Sequence, residues 1–481
     1  MGLLRQSWFV LLACAGGALV LAIERVPFDD EWFSLTLVSE ASLEGFWGSL
    51  ARDMHPPWLA MLDRWLWGLA PSRASLVGVR ILCVLAAAAL WLVLLRPVAG
   101  RRTWVFGLAL LHPIVFYYMG AQRWYPVLML GHALRHWAIL SASTDGRRAG
   151  AFIGGAILGM ASGYVDLLFL THDAGHYAWR ERRRPKLAAW VLSASVLVAV
   201  VLVVGSPIAS EHWEIFTRQA SRDWPALNTL LWGGLGPVGE ALPHAAFLLL
   251  GLVVVSAALL GGGTLVRAGL PPQTAWLVAS LIGCWLVATR FGVSSPRYSL
   301  EVWWLMAVAV LAPLACAEGR RLWAGLGAAA MLLGLLCTLS GEMFFKADLN
   351  TPPATFCADV AGEQGVDAYV IPYHRIAEQL RLNCAPEADI VVPPAMRHVT
   401  SRDELLGRVQ ARIAQGGRLT LLATTSRASI RRTRAAVRAL LDGQCSVLGA
   451  GALWPPPHLW IREHLIESPS HRLIATRYDC P

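Results

Sequence analysis

The residues best suited to chemistry lie in an acidic loop, residues 24–75, between two hydrophobic segments near the amino terminus. Asp29, Asp30 and Glu31 open this loop, and Asp53 follows further along it. Removing a carboxylate from water costs free energy unless the group is paired with a cation or takes part in chemistry. Acidic residues placed where a chain leaves a bilayer therefore indicate function. Clustered carboxylates act as general bases or as hard oxygen ligands for magnesium, manganese or calcium. The sequence therefore predicts the chemical site in this loop.

A structural use of the same residues stays open. Asp29 and Asp30 precede a helical pattern that begins at Trp32, and aspartate is a common helix cap. His55 is followed by two prolines, which are tolerated in a first helical turn. The prolines therefore predict an amphipathic helix that starts next to His55 and aims its imidazole.

Composition places the chain among polytopic membrane proteins and excludes an ordinary soluble enzyme. Of its 481 residues, 56% are hydrophobic and 15% are charged, and the mean hydropathy is +0.50. Apolar segments long enough to cross a hydrocarbon layer of about 30 Å recur as far as residue 340. They predict about eleven transmembrane helices, near residues 8–23, 76–95, 103–119, 125–141, 149–164, 165–179, 187–206, 243–262, 274–290, 300–317 and 322–340.

The arginine and lysine residues predict the orientation of these spans, because both favour the cytoplasmic side. With the amino terminus inside, the acidic loop, Arg123, residues 296–298 and the tail from 341 to 481 face the opposite side. The net charge of +9 follows from this bias and does not indicate nucleic-acid binding. The orientation also requires that the first span is retained and not cleaved as a signal peptide. The basic inner connections contain Arg96, Arg101, Arg102, Arg147, Arg148, Arg180, Arg182, Arg183, Arg184, Lys186, Arg267, Arg320 and Arg321.

The sequence predicts that residues 341–481 form a small soluble α/β domain. Short apolar strands alternate with helical segments in it, a pattern that predicts parallel pairing. The strands are expected at Ala368–Ile371, Asp389–Val392 and Leu419–Ala423, and the helices at Ile376–Leu382, Arg402–Gln415 and Arg427–Leu441. A lid or an acceptor-docking module is favoured over an independent enzyme, since no phosphate loop, nucleophile elbow or metal spacing occurs in this sequence. One or two disulfides are expected among its four cysteines, Cys357, Cys384, Cys445 and Cys480, in any of three pairings.

Four short segments on the predicted outer side carry a family resemblance. They are Asp30-Glu31, then Asp53-Met54-His55-Pro56-Pro57, then His112 to Tyr118 running on through Gln122-Arg123-Trp124-Tyr125, and finally Pro296-Arg297-Tyr298-Ser299-Leu300. The four segments occur in the same order as those of the GT-C glycosyltransferases and lie on one face of the membrane, and together they resemble that family. The resemblance is closest to relatives of dolichyl-phosphate-mannose protein mannosyltransferase and of the lipid A aminoarabinose transferase.

The resemblance implies a fold and an activity. The fold is an α-helical polytopic membrane protein, GT-C-like, with about 11 transmembrane helices in residues 1–340 and a soluble α/β domain in residues 341–481. The activity is transfer of a hexose or pentose, with inversion, from a polyprenyl-phosphate donor to a lipid, glycan or protein acceptor. The reaction would take place at the outer face of a membrane, which the composition assigns to a bacterial inner membrane.

The resemblance also assigns roles to the acids of the loop. Asp30 is the first candidate for the general base that takes the acceptor proton, and Asp53 is the second. Asp29 and Glu31 would orient the acceptor or hold a divalent cation. No cofactor is expected to be required, and magnesium, manganese or calcium is optional.

Cationic groups on the same side are assigned to the leaving phosphate. Arg123, Arg297 and His55 would neutralise the charge that grows on its oxygens, and Tyr125 and Tyr298 would donate further hydrogen bonds. The alternative is that the two arginines are interfacial anchors that pair with lipid headgroups.

The sixth predicted span carries ionisable groups that are expected to point inward. His172 and His176 lie at positions i and i+4 on one helical face, a spacing that permits metal binding but lacks a nearby third ligand. For these residues and for Asp166 and Asp173, we expect pairing with Arg135 or a place along the path of the lipid phosphate.

Two other functions compete with glycosyl transfer: transport of lipid-linked sugars and a catalytically inert role. A transporter or flippase of lipid-linked sugars would also need charges within the membrane, but transporters commonly show internal repeats, and none is visible in the sequence. A catalytically inert relative is disfavoured by the presence of Asp30, Asp53, Arg123 and Arg297.

Overall fold

The computed structural model describes residues 2–24, 29–39, 42–50, 56–204, 244–289, 299–316, 321–339, 365–371, 380, 389–391, 402–424, 428–452 and 473–481. The chain divides into two compact units. The first contains Met1–Ile23 and Ser34–Leu339, and the second contains Glu24–Phe33 and Ser340–Pro481.

Helices dominate the chain as far as residue 339. In order they are α1 (Gly2–Glu24), α2 (Asp29–Ser39), α3 (Leu43–Leu50), α4 (Pro57–Leu69), α5 (Arg73–Ala99), α6 (Trp104–Gly107), α7 (Pro113–Tyr118), α8 (Tyr125–Leu140), α9 (Asp145–Ser162), α10 (Asp166–Arg180), α11 (Pro185–Val204), α12 (His244–Arg267), α13 (Pro272–Thr289), α14 (Leu300–Ala315) and α15 (Arg321–Leu339). Helix α4 begins at the second of the two prolines after His55, as the sequence predicts.

Three of these segments are long and apolar enough to cross a membrane: Arg73–Arg102, Pro185–Val203 and Leu249–Arg267. Four shorter apolar helical segments accompany them in the described part of the chain, at Gln6–Val20, Pro272–Val287, Leu300–Ala315 and Arg321–Leu336. The chain therefore has the composition of a polytopic membrane protein. The number of eleven crossings stays a prediction.

The third predicted span, residues 103–119, is not one helix. Helix α6 is followed by a 3₁₀ turn at Leu108–Leu111, and α7 starts only at Pro113. Proline lacks the N–H that a continuous helix needs and forces the residue before it into an extended conformation. His112 has that conformation, with φ −56° and ψ 130°, so the prediction of one continuous helix over this span was wrong.

Small residues bring α8 and α9 unusually close together. A Cβ atom added to Gly131 of α8 would lie 2.9 Å from the carbonyl oxygen of Gly155, and one added to Gly155 would lie 2.5 Å from that of Gly131. A Cβ atom on Gly159 would lie 2.0 Å from a carboxylate oxygen of Asp166. Close helix packing through small residues is the usual arrangement in membranes. Here it also leaves room for an acidic side chain between the helices.

The carboxyl-terminal unit contains a five-stranded sheet. Its strands are β1 (Ala368–Val370), β2 (Ile390–Val391), β3 (Gly417–Thr424), β4 (Ser446–Ala452) and β5 (Leu473–Cys480), in the order β2-β1-β3-β5-β4. Strand β1 pairs in parallel with β2 and β3, whereas β5 pairs antiparallel with β3 and β4. The helices α16 (Arg402–Ile413) and α17 (Ala428–Gln444) pack Leu405, Val409, Val437 and Leu441 against the sheet.

The sequence predicts part of this unit correctly. The first three strands, their parallel pairing and the helices α16 and α17 are confirmed, whereas β4 and β5 were not predicted. Strand β4 has the sequence SVLGAGA, and its glycines and alanines have low strand propensity. Of the expected disulfides, Cys445–Cys480 is formed. Cys357, Cys384 and most of the predicted helix Ile376–Leu382 lie outside the described residues.

Candidate functional site

The acidic run lies in the first turn of α2. The helix begins at Asp29, three residues earlier than the expected start at Trp32, so Asp29 and Asp30 belong to the helix. Glu31 is fully buried. Four predicted site residues lie outside the described residues, namely Asp53, His55, Arg297 and Tyr298.

Arg123 faces a small pocket just before α8. Its side chain is only 5% exposed, and its Nη1 donates a hydrogen bond to Ser34 Oγ at 3.0 Å. A buried arginine is not an anchor in the headgroup region, so the alternative of a simple interfacial anchor loses support. The pocket is lined by Arg123 with Ser34, Leu37, Val38, Pro56, Leu59, Ala60, Asp63, Gln122, Trp124 and Ser162.

An ion pair that was not predicted from the sequence, Arg80–Asp63, lies beside this pocket. Arg80 of α5 is fully buried, and its Nη2 lies 2.6 and 2.5 Å from the two carboxylate oxygens of Asp63 in α4. Its Nε donates to the backbone carbonyl oxygen of Arg123 at 3.0 Å. Burial raises the pKa of the Asp63 carboxyl, and the Arg80 guanidinium acts against that rise. Arg80 and Asp63 neutralise each other, and the Arg123 guanidinium adds a further cation to the lining of the pocket.

The size of the pocket limits what it can accept. Its volume is about 30 Å³, which is on the order of one water molecule. A water molecule or a single phosphate oxygen fits this space. The pocket is therefore suited to hold one edge of an anion against Arg123.

Tyr125 does not line this pocket. It is the first residue of α8 and is 1% exposed. Its ring lies 5.7 Å from that of Tyr118 and 4.8 Å from that of Trp124, measured between centroids. In this arrangement Tyr125 packs in an aromatic cluster beside the pocket.

A second group of charged residues lies further along α8. We call it the buried ion cluster; its members are His132, Arg135, His136, Asp166, Asp173 and Glu301, each at most 2% exposed. Arg135 donates to Asp166 at 2.7 and 2.9 Å and to Asp173 at 2.7 Å. The expected pairing of the acids in the sixth predicted span with Arg135 is thus confirmed.

His136 is hydrogen-bonded to two carboxylates, whereas His132 is hydrogen-bonded to one and lies within ion-pair distance of a second. The ring nitrogens of His136 lie 3.0 Å from Glu301 and 3.0 Å from Asp173. Those of His132 lie 2.9 Å from Asp166 and 3.4 Å from Glu301. An imidazole that donates to two carboxylates carries a proton on both nitrogens and is positively charged. With both histidines protonated, the three cations of the cluster match its three carboxylates, as a buried site requires.

The remaining histidines of α10 meet a serine of α13. Nε2 of His172 lies 2.8 Å and Nε2 of His176 lies 2.9 Å from Ser280 Oγ. Nδ1 of His172 lies 2.8 Å from Asp173. Ser280 Oγ also lies 2.8 Å from the carbonyl oxygen of Trp276, its helical i−4 neighbour. These contacts connect the two histidines to the buried ion cluster through hydrogen bonds.

The described helices define a polytopic helical membrane protein with a small carboxyl-terminal sheet. Among solved structures, the chain is similar to ArnT from Cupriavidus metallidurans bound to undecaprenyl phosphate, with a TM-score of 0.50 and 14% sequence identity over 98% of each chain. It is also similar to ArnT from the same organism in the apo state, with a TM-score of 0.46 and 14% identity over 98% of this chain and 97% of that one. No protein-family model matches the chain, and no curated protein matches it in sequence.

The first likeness shows the fold. ArnT is a lipid A aminoarabinose transferase of the GT-C type, so the resemblance predicted from the four sequence segments is confirmed at the level of the fold. At 14% identity, the likeness leaves the reaction to be argued from the residues of this chain.

Proposed function

We propose that this protein is an integral-membrane glycosyltransferase that uses a sugar carried on a polyprenyl phosphate. The observation that carries the proposal is the ArnT fold, which extends over 98% of both chains. The ArnT structure was determined with undecaprenyl phosphate bound, and a lipid phosphate is the leaving group of the reaction proposed here. The acceptor is a lipid, glycan or protein at the outer face of a bacterial inner membrane.

The pocket at Arg123 supports the handling of a lipid phosphate. When the bond between the sugar and the phosphate breaks, negative charge develops on the phosphate oxygens, and a nearby cation lowers the barrier. Arg123 is buried, donates a hydrogen bond to Ser34 and lines the pocket beside the Arg80–Asp63 ion pair, so it is the cation proposed to meet the phosphate. Arg297, His55 and Tyr298 are proposed to complete the phosphate site, and Tyr125 packs in the aromatic cluster beside it.

The acidic loop supplies the base in this proposal. Asp30, or Asp53 in its place, takes the proton from the acceptor hydroxyl or amine. The acceptor atom then forms a bond to the anomeric carbon from the side opposite the phosphate, and the bond from that carbon to the phosphate oxygen breaks. The electron pair leaves on the lipid phosphate, and the configuration of the sugar is inverted. Asp29 and Glu31 orient the acceptor or hold an optional divalent cation.

The proposal is tested by transfer assays with the purified protein in detergent and a radiolabelled polyprenyl-phosphate sugar. Asp30→Asn and Asp53→Asn are compared with Asp403→Asn, an exposed acid of α16. We expect at least one of the first two to lower turnover about 100-fold, the effect of losing a general base, and the control to be unchanged. Arg123→Ala should weaken donor binding, measured as an increased KM or a reduced retention of undecaprenyl phosphate.

Two results would contradict the proposal. Near-normal turnover in both Asp30→Asn and Asp53→Asn would remove the assigned base. Movement of lipid-linked sugar across vesicles without any transfer to an acceptor would instead identify a flippase.

A further inference from the structure

A second pocket lies at the carboxyl end of α5, away from Arg123. It is formed between α1, the last turns of α5 and the turn that follows α5. Its walls are mainly apolar and include Trp8 and Leu11 of α1 and Leu92 and Val93 of α5. The volume is about 120 Å³, on the order of four water molecules. This space suits a short piece of hydrocarbon.

Two arginines line the same pocket. Arg96 belongs to the last turn of α5, and Arg101 follows Gly100, which has φ +53°. Only glycine adopts this φ without strain, and the turn is fixed by a hydrogen bond from Thr103 Oγ1 to the carbonyl oxygen of Gly100 at 2.8 Å. The reversal of the chain at Gly100 therefore keeps both cations at one pocket.

The charge of these arginines is not compensated by the protein in its described part. Neither Arg96 nor Arg101 has a carboxylate partner among the described residues, and no acidic side chain lines the pocket there. Both arginines are exposed. A bias of arginines toward the cytoplasmic side would by itself need no apolar pocket beside them. Two cations without a carboxylate partner among the described residues, placed beside an apolar recess, match a ligand that is anionic at one end and hydrocarbon at the other.

We propose that this pocket binds an anionic phospholipid of the surrounding membrane. The phosphate of the headgroup pairs with Arg96 and Arg101, and part of an acyl chain lies against Trp8, Leu92 and Val93. The sequence assigns this end of α5 to the cytoplasmic side, where basic pockets between transmembrane helices bind anionic lipids. The site is separate from the pocket of Arg123 and does not depend on the proposed glycosyl transfer.

The first experiment measures lipid retention by native mass spectrometry of the detergent-purified protein. Phosphatidylglycerol and phosphatidylcholine are added as separate probes. Arg96→Gln/Arg101→Gln is compared with Arg183→Gln/Lys186→Gln, which removes the same charge from exposed cations that the sequence places on the same side. We expect the wild type and the control to retain phosphatidylglycerol but not phosphatidylcholine, and the first double variant to bind it about 30-fold more weakly. The proposal would be overturned if the two double variants retained phosphatidylglycerol equally. It would also be overturned if the wild type retained the two lipids equally.

The second experiment separates a lipid site from a site for free phosphate. Glycerol phosphate carries the headgroup charge without the chains, so it should fail to displace phosphatidylglycerol from the wild-type protein. Displacement at the lipid's own concentration would show that the chain contributes nothing and would overturn the lipid assignment. Ala89→Phe, which fills the apolar part of the pocket, should reduce retention of phosphatidylglycerol at an unchanged melting temperature. Full retention by a folded Ala89→Phe variant would overturn the assignment as well.

Discussion

Arg80 holds both carboxylate oxygens of Asp63 through a single nitrogen, Nη2, at 2.6 and 2.5 Å. The pair joins α4 to α5 in a fully buried position, and the Nε of the same guanidinium holds the backbone carbonyl of Arg123. Arg80 is thus a positioning residue for the Arg123 pocket, because it fixes the main chain from which the Arg123 side chain extends.

This arrangement predicts different effects on stability and on binding. Asp63→Leu alone leaves a buried guanidinium unpaired and should lower the free energy of unfolding by about 3–5 kcal/mol. The double variant Asp63→Leu/Arg80→Met removes both charges and should regain most of that loss. It should still bind undecaprenyl phosphate more weakly than the wild type, since the hydrogen bond from Arg80 Nε to the Arg123 carbonyl oxygen is lost. Thermal unfolding in detergent and lipid titration measure the two effects.

The exposed pair Glu404–Arg408 of α16 provides the control, because breaking an exposed i,i+4 pair costs little. If the double variant regains lipid affinity together with stability, Arg80 and Asp63 have only a structural role. If the double variant regains neither stability nor lipid affinity, Arg80 or Asp63 makes a further stabilising interaction besides the ion pair.

The contrast between Arg123 and Arg80 shows what the sequence could predict. Arg123 lies in a short polar segment next to tyrosine and tryptophan, a pattern that can be recognised locally. Arg80 lies within a predicted span, and a charge in a span is itself a signal for function or pairing. Its partner Asp63 lies on a different helix, and only the packing of α4 on α5 brings them together. Recognising Arg80 as an ionisable residue inside a membrane segment would have found one half of the pair.

In the buried ion cluster, too, some members were predicted from the sequence and others were not. The pairing of Asp166 and Asp173 with Arg135 was one of two alternatives expected from the sequence, because ionisable groups inside a membrane segment point inward and need partners. Glu301 was not predicted as a member, since it enters from α14 and meets His136 over a sequence separation of 165 residues. Sequence patterns report which residues need partners, whereas long-range packing decides which partners they receive.

The cluster makes its own prediction about stability. Arg135→Leu leaves three carboxylates facing two histidines in a fully buried site and should lower the free energy of unfolding by about 3–5 kcal/mol. Adding Asp166→Asn should recover part of the loss, because it restores the match between cations and carboxylates. Thermal unfolding in detergent tests this, with the exposed Arg147→Leu of α9 as the control. A larger loss on adding Asp166→Asn would show that the hydrogen bonds matter more than the charge.

The predicted orientation has a direct test. The alternation of basic connections and an odd number of spans place residues 341–481 outside the cytoplasm. A phosphatase fused after Ala347 should therefore be active in cells, and a reporter that functions only in the cytoplasm should be inactive at the same position. The reverse result would place Asp30 and Arg297 on the cytoplasmic side and remove the proposed site at the outer face.

The last prediction concerns metal dependence. Asp29, Asp30, Glu31 and Asp53 offer hard oxygen ligands for magnesium, manganese or calcium, and a bound cation would bridge them to the donor phosphate. In the proposed reaction the buried Arg123 supplies positive charge for that phosphate, so a cation would duplicate this stabilisation. We expect transfer activity to persist after chelation with EDTA, weakened at most several-fold. Complete loss of activity, with rescue by one specific divalent ion, would instead identify the acidic loop as a metal site.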